Sequence, residues 1–332
     1  MPFCYYVAFA HVHTPNFCGG TFCGASRRGR FGDALAELDA SAGAMLDKLA
    51  DAALTEQTVV FFTSDNGPWL IQRLEGGSAG PLFEGKATTW EGGMRVPGVV
   101  AWPGTVAPRV SADVVATYDI FSTMLALAGV AAPSDRTIDG RDLTPLLLEP
   151  ETAASPRECV FYWHGTTDDA FDGLWAARCG AYKAHFVTNT HWNATGVVHD
   201  PPLMFHLEFD VSEAYPLDAA SDEYARARAR IDEAVAAHRA TIDLGSIVNQ
   251  GALAADANYS VCCDAGSQAT LPSFPVCTCD PANFGIEAYD GGDVAYAAEN
   301  THQMLCASEL DAALERPECR AAAEWSAPPP SG

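Results

Sequence analysis

The chain has 332 residues, 48% of them hydrophobic, with 43 acidic against 19 basic side chains and a formal net charge of -24. That balance argues against nucleic-acid binding, and an anionic substrate would need local positive charge to be held. No apolar run reaches the ~18 residues that span a membrane, and the length suits a substantial core in two domains.

In chain order, Phe3 to Ala10 reads as a first strand, ending in His11-Val12-His13-Thr14-Pro15. Gly32 to Leu54 follows as a helix: Leu35, Leu38, Ala42, Met45, Leu46 and Leu49 recur at helical spacing, with Asp33 as the expected N-cap. Thr58 to Thr63 contains the continuous apolar run Val59-Val60-Phe61-Phe62, as expected of a strand covered on both faces. It runs straight into Ser64-Asp65-Asn66-Gly67.

Strand, helix, strand predicts a right-handed βαβ unit with parallel strands. Both polar tips would then emerge on one edge of the sheet, where open α/β sheets place their ligand sites. His13, Asp65 and Asn66 become expected neighbours. The hard oxygen donors of Asp65 and Asn66 suit a cation such as calcium better than zinc.

Glycine-rich segments follow, Gly76 to Pro81 and Gly85-Lys86 through Gly92-Gly93 to Pro97. Gly98 to Trp102 reads as another buried strand, Ala112 to Val130 as a helix with Ile120, Met124 and Leu127 on one face, and Leu143 to Leu148 as a short apolar stretch. Beyond Pro156 the texture changes. Cys159 to Trp163, Gly173 to Val187 and Leu203 to Phe209 are short strand candidates that predict an antiparallel sheet, and Ser221 to Ile242 reads as a terminal helix. The expected division is an α/β domain over 1–155, an antiparallel sheet plus helix over 156–245, and a Cys-bearing, partly disordered tail over 246–332.

The chain has 11 cysteines. Together with the sequons at Asn193 and Asn258 they point to an oxidising secretory route, lysosomal, vacuolar or extracellular, with Asn193 and Asn258 as glycosylation candidates. Cys262-Cys263 and Cys277-Thr278-Cys279 could instead bind zinc, but no histidine stands at finger-like spacing, so disulfides are favoured. No Lys or Arg precedes the apolar start, which makes a poor signal peptide. The expectation is a chain lacking its natural start.

Phe62-Thr63-Ser64-Asp65-Asn66-Gly67-Pro68, Gly85-Lys86 and Thr88-Thr89-Trp90-Glu91-Gly92-Gly93-Met94-Arg95-Val96-Pro97 resemble a sulfatase of the arylsulfatase A type. Pro2-Phe3 to His13-Thr14-Pro15 is similar to that family's histidine-bearing strand, and Tyr182-Lys183-Ala184-His185-Phe186 and Pro201-Pro202-Leu203 to its C-terminal region. The resemblance implies an alkaline-phosphatase-like α/β fold with a small C-terminal sheet, and hydrolysis of a sulfuric ester. It implies Asp65 and Asn66 as ligands of one Ca2+, Lys86 as a contact to the sulfate, and His13 beside the sulfate and the nucleophile. A cation, an ammonium and an imidazole all stabilise charge that develops in displacement at sulfur.

Family members attack with a cysteine converted to formylglycine, within C-x-P-S-R or C-x-A-S-R and followed by L-T-G-R. Cys23-Gly24-Ala25-Ser26-Arg27 matches that core but is rejected. It follows His13 instead of preceding it, and Arg28-Gly29-Arg30-Phe31 stands where L-T-G-R would. The chain therefore resembles the second part of a sulfatase, without the nucleophile segment, and no activity is expected of it alone. Two rival readings are a phosphatase or phosphodiesterase of the same superfamily and a non-catalytic fragment. Among the other polar residues, Glu91 and Arg95 are expected to brace their loop as an ion pair. Lys183 and His185 are expected to be solvent-facing or packing residues, and His11 structural. His199 could reach the cleft.

Overall fold

The computed structural model describes residues 2–164 and 173–242, all within one compact unit spanning 1–244. Two sheets organise it. β1 (Val60–Thr63) pairs antiparallel with β2 (Gly98–Ala101), Phe61 opposite Val100. β3 (Cys159–Trp163), β4 (Leu174–Cys179), β5 (Tyr182–Thr190) and β6 (Asn193–His206) form an antiparallel meander in sequence order. Five helices accompany them among the described residues: α1 (Gly29–Asp51), α2 (Glu91–Met94), α3 (Asp119–Leu127), α4 (Thr144–Leu148) and α5 (Asp222–Arg239).

The C-terminal half has the expected antiparallel sheet and terminal helix, but Gly173 to Val187 divides into β4 and β5 at Gly180-Ala181, and the last strand runs over Asn193–His206 rather than Leu203 to Phe209. α5 starts at Ser221, whose hydroxyl accepts from the Tyr224 amide at 3.1 Å, a side-chain N-cap. Its Tyr224, Ala227 and Ile231 are buried against Trp175, Ala177, Ala184, Phe186 and Met204 of the sheet. A single stripe of α5 thus packs, as its charged composition requires. Cys159 and Cys179, opposed in the β3–β4 register, are disulfide-bonded.

The first half departs from expectation in instructive ways. Phe3 to Ala10 joins no ladder among the described residues, and β1 takes β2 as an antiparallel partner, so the predicted parallel βαβ pair is not formed. β1 and β2 are not covered on both faces either: Phe62 is 43% and Val99 58% exposed. The α1 stripe has the predicted spacing, yet Leu35, Met45 and Leu46 are exposed while Arg30, Gly32, Asp33 and Ala34 are buried. Hydrophobic periodicity identifies which residues seek cover, not what supplies it. Asp33 is no N-cap: that position is Arg28, and the Asp33 carboxylate instead accepts from the amides of Gly24 (2.8 Å) and Ser26 (2.7 Å), tying down the preceding loop. The third helix begins at Asp119, not Ala112: residues 112–116 belong to no helix or strand, and a turn at 117–118 leads into it.

The tail over 246–332, with Asn258 and Cys262 to Cys319, lies outside the described residues.

Candidate active site

Ser64 to Trp69 leaves β1 as a tight loop. Asp65 is exposed and makes no hydrogen bond or ion pair among the described residues. The Asn66 amide nitrogen donates to Gly67 O at 3.0 Å, which leaves its carbonyl oxygen available. The Gly67 amide donates to Gly93 O at 2.9 Å, and an added Cβ at Gly67 would sit 1.7 Å from Gly92 O. Only glycine allows the Asp65–Asn66 turn to press this closely on the Gly92-Gly93 backbone.

Lys86 is docked onto the same loop, its amide donating to Pro68 O at 2.8 Å. Its ammonium sits 5.3 Å from the centre of the Trp69 ring, and the His13 ring lies 5.7 Å from Trp69, centre to centre. His13 Nδ1 donates to Thr14 O at 2.6 Å, so Nε2 is left free as an acceptor. The structure therefore brings His13 and Lys86 to one indole, four and three residues along from Asp65 and Asn66.

Lys86 stands between two non-glycine residues with positive φ, Glu84 (60°) and Ala87 (71°), conformations that persist only when their surroundings impose them. The C-terminal sheet does so. The Glu84 carboxylate accepts from the His191 amide at 2.9 Å and pairs with the His191 imidazole. Ala87 O accepts from Asn189 Nδ2 at 2.8 Å and from His164 Nε2 at 2.9 Å. Trp90 Nε1 donates to Asn189 O at 3.0 Å.

Beneath this loop lies a buried charge cluster that sequence reading missed. Glu91 and Lys183, both excluded from solvent, pair at 2.9 Å, and Lys183 also reaches Glu213 at 3.2 Å. His185 Nε2 donates to Glu213 at 2.7 Å, while its Nδ1 faces the Thr89 hydroxyl at 3.3 Å. Burial holds His185 down at about 4, so it is neutral near pH 7. Burial raises the Glu213 carboxyl, but Lys183 and the His185 hydrogen bond outweigh it and leave the carboxyl below its ordinary value. Of the two expectations for Lys183 and His185, packing holds and a solvent-facing position does not. Glu91 forms the expected ion pair with Arg95, at 3.9 Å, and is held more closely by Lys183 at 2.9 Å and by Arg178 at 3.5 Å.

His11 and His199 have structural partners. His11 Nε2 bonds Glu37 at 3.2 Å. His199 bonds the Thr188 hydroxyl at 2.8 Å and lines a cavity of about 440 Å³ between β6 and α5 with Phe186 and Arg228, not the His13 site. Cys23 is disulfide-bonded to Cys18 in the exposed connection before α1, which removes its thiol from nucleophilic chemistry.

Asp65 and Asn66 offer the donor type that calcium takes, but not the six to eight oxygens it needs. No group of three or more His, Cys, Asp or Glu side chains among the described residues is placed to hold a metal. The fit is right in kind and short in number.

Comparison with known proteins gives the family of the chain. Residues 1–130 match the sulfatase family model, residues 155–279 the C-terminal region of aryl-sulfatase, and residues 81–214 the C-terminal N-sulphoglucosamine sulphohydrolase model. The chain belongs to the sulfatase family. Within it the chain is of the arylsulfatase A type: it is 40% identical over 276 residues to arylsulfatase A of Bos taurus, covering 79% of this chain and 54% of that protein. It is also 42% identical over 264 residues to N-acetylgalactosamine-6-sulfatase of Canis lupus familiaris, covering 73% and 49%. The crystal structure of the PsFucS1 sulfatase from Pseudoalteromonas sp. superposes with a TM-score of 0.62 at 30% identity, covering 71% of this chain and 48% of that one. The fold is thus that of the α/β sulfatases with a smaller antiparallel C-terminal sheet, and the chain spans about half the length of the curated relatives it matches.

Proposed function

We propose that this chain carries the His13–Asp65–Asn66–Lys86 portion of a sulfuric ester hydrolase site. The convergence of His13 and Lys86 on Trp69, at the end of the Asp65–Pro68 loop, is the observation that carries the reading. Lys86 has no carboxylate partner among the described residues, so its charge is available to a sulfate oxygen in a molecule of net charge -24. His13 Nε2 is available to accept or deliver a proton at the ester or attacking oxygen. Calcium held by Asp65 and Asn66 would supply electrostatic stabilisation of the sulfuryl oxygens. No step is assigned through it, since two donors make an incomplete shell.

The 332 residues alone are proposed to be inactive. The C-x-A-S-R cysteine they carry, Cys23, is bridged to Cys18. The uncovered apolar residues Phe3, Tyr5, Tyr6, Phe62 and Val99 support a reading in which further strands pack beside β1 and carry the formylglycine segment. The domain division at residue 155 is retained as part of this reading, with Glu91, Lys183 and Glu213 as the contact across it. An oxidising secretory setting, lysosomal, vacuolar or extracellular, is supported by the Cys18–Cys23 and Cys159–Cys179 bridges and by the exposed sequon at Asn193.

The test is co-expression with the front half of a sulfatase bearing C-x-P-S-R. Turnover of an aryl sulfate should appear with the pair, be absent from either piece, and be lost with Lys86→Ala or His13→Ala. Turnover by the 332-residue chain alone defeats the reading, as does restored turnover that survives Lys86→Ala. A two-zinc phosphatase is the rival, and metal analysis of the active pair, calcium against zinc, separates them.

A further inference from the structure

We propose that Trp69 is a positioning residue for the anion-binding pair, its indole holding the Lys86 ammonium and the His13 imidazole in register for one sulfate group. The inference rests on the sulfate-ester reading and adds to it a residue that touches both proposed site groups.

Three observations carry it. The first is contact: Lys86 Nζ stands 5.3 Å from the indole centre and the His13 ring 5.7 Å from it. An electron-rich aromatic face attracts cations, so it can gather two groups that would repel each other when both are charged. The second is fixation of the Trp69 backbone, from which the ring projects. The Trp69 amide donates to Gly76 O at 3.0 Å, its carbonyl accepts from Gln72 N at 2.9 Å, and a Cβ on Gly76 would fall 1.9 Å from Trp69 O. The third is that the loop is anchored to the histidine-bearing segment: Asn16, buried and three residues past His13, donates to Glu75 O at 2.8 Å. The Trp69 backbone is therefore tethered on one side to the Lys86 backbone through Pro68 and on the other to the His13 segment through Asn16.

The sequence provides a clean probe. It holds three lysines, Lys48, Lys86 and Lys183. Lys183 is buried and Lys48 is 83% exposed at its side chain, so reductive ¹³C-methylation of the full chain reports Lys86 with Lys48 as an internal reference. In the parent chain the Lys86 methyl signal should lie upfield of Lys48 through the indole ring current, and inorganic sulfate should move it. Trp69→Phe should keep both effects. Trp69→Ala should abolish the ring-current shift and weaken sulfate binding by about fivefold or more, a factor in keeping with loss of a cation–aromatic contact, while Lys48 stays unmoved.

A Trp69→Ala chain that binds sulfate within twofold of the parent overturns the proposal. So does a Lys86 signal that coincides with Lys48 while sulfate still moves it, an outcome that leaves the sulfate reading intact. A parent chain whose Lys86 signal is ring-shifted yet indifferent to sulfate defeats the sulfate reading instead, and reduces Trp69 to a packing residue.

Discussion

Lys183 Nζ lies 2.9 Å from Glu91 Oε1, both side chains removed from water, so a strand of the C-terminal sheet neutralises the first residue of the helix that follows the Lys86 loop. Glu213 approaches the same ammonium and donates nothing; it also accepts the Glu91 amide at 2.6 Å. The site loop is thereby held from below by charges that cannot be removed singly without leaving a buried ion.

Lys183→Met should therefore destabilise the chain by about 3 to 5 kcal/mol, the range for a buried ion stripped of its partner. Urea unfolding measures it, and Lys183→Arg should not substitute, because the fully buried side chain leaves a planar guanidinium to replace a compact ammonium. A cost below about 1 kcal/mol would mean that the pair is solvated.

Acid should weaken the fold before its carboxylates titrate. His185 is held at about 4, below the ordinary value near 6.5, so the unfolded chain takes up a proton there that the folded chain refuses. Stability from this group is complete above pH 6.5, declines as pH falls to about 4, and levels off below, a loss on the order of 3 kcal/mol. Glu213, depressed in the folded state, adds loss at lower pH in the same direction. Equilibrium unfolding between pH 7 and 4 reads the slope, and His185→Gln should flatten its upper part.

Gly67→Ala should cost about 3 kcal/mol or more, since its Cβ would meet Gly92 O at 1.7 Å and the loop cannot yield without moving the Asp65–Asn66 turn. Calorimetric melting measures it. Gly43→Ala is the control: its Cβ meets nothing within 4 Å, and helix propensity makes the change neutral or stabilising.

Cys23 should carry no aldehyde. When the chain is expressed through a secretory pathway with a formylglycine-generating activity, hydrazide labelling should leave the peptide containing Cys23 unmodified, and non-reducing mass mapping should find it joined to Cys18. Cys23→Ser should leave the activity of the co-expressed pair unchanged.

The sequence pattern made the C-terminal half legible because its signals are local. Ser221 caps α5, turn residues separate short strands, and one stripe of α5 packs. The first half was legible in its motifs but not in its burial. Val59 to Phe62 and the α1 stripe are apolar at the right spacing, yet their cover depends on elements distant in sequence. Lys183 and His185 escaped because alternation along a strand assigns two faces, and both faces of β5 are buried. Glu213 escaped because an acid in a turn ordinarily faces water, and Trp69 because nothing local marks an aromatic residue after Gly-Pro as a platform.

The Cys159–Cys179 bridge closes the β3–β4 connection covalently. A single backbone scission anywhere between those two positions would leave the molecule in one piece until it is reduced. An intact band on a non-reducing gel is therefore no proof of an uncut chain, and any preparation used to weigh the activity of this protein should be inspected after reduction as well.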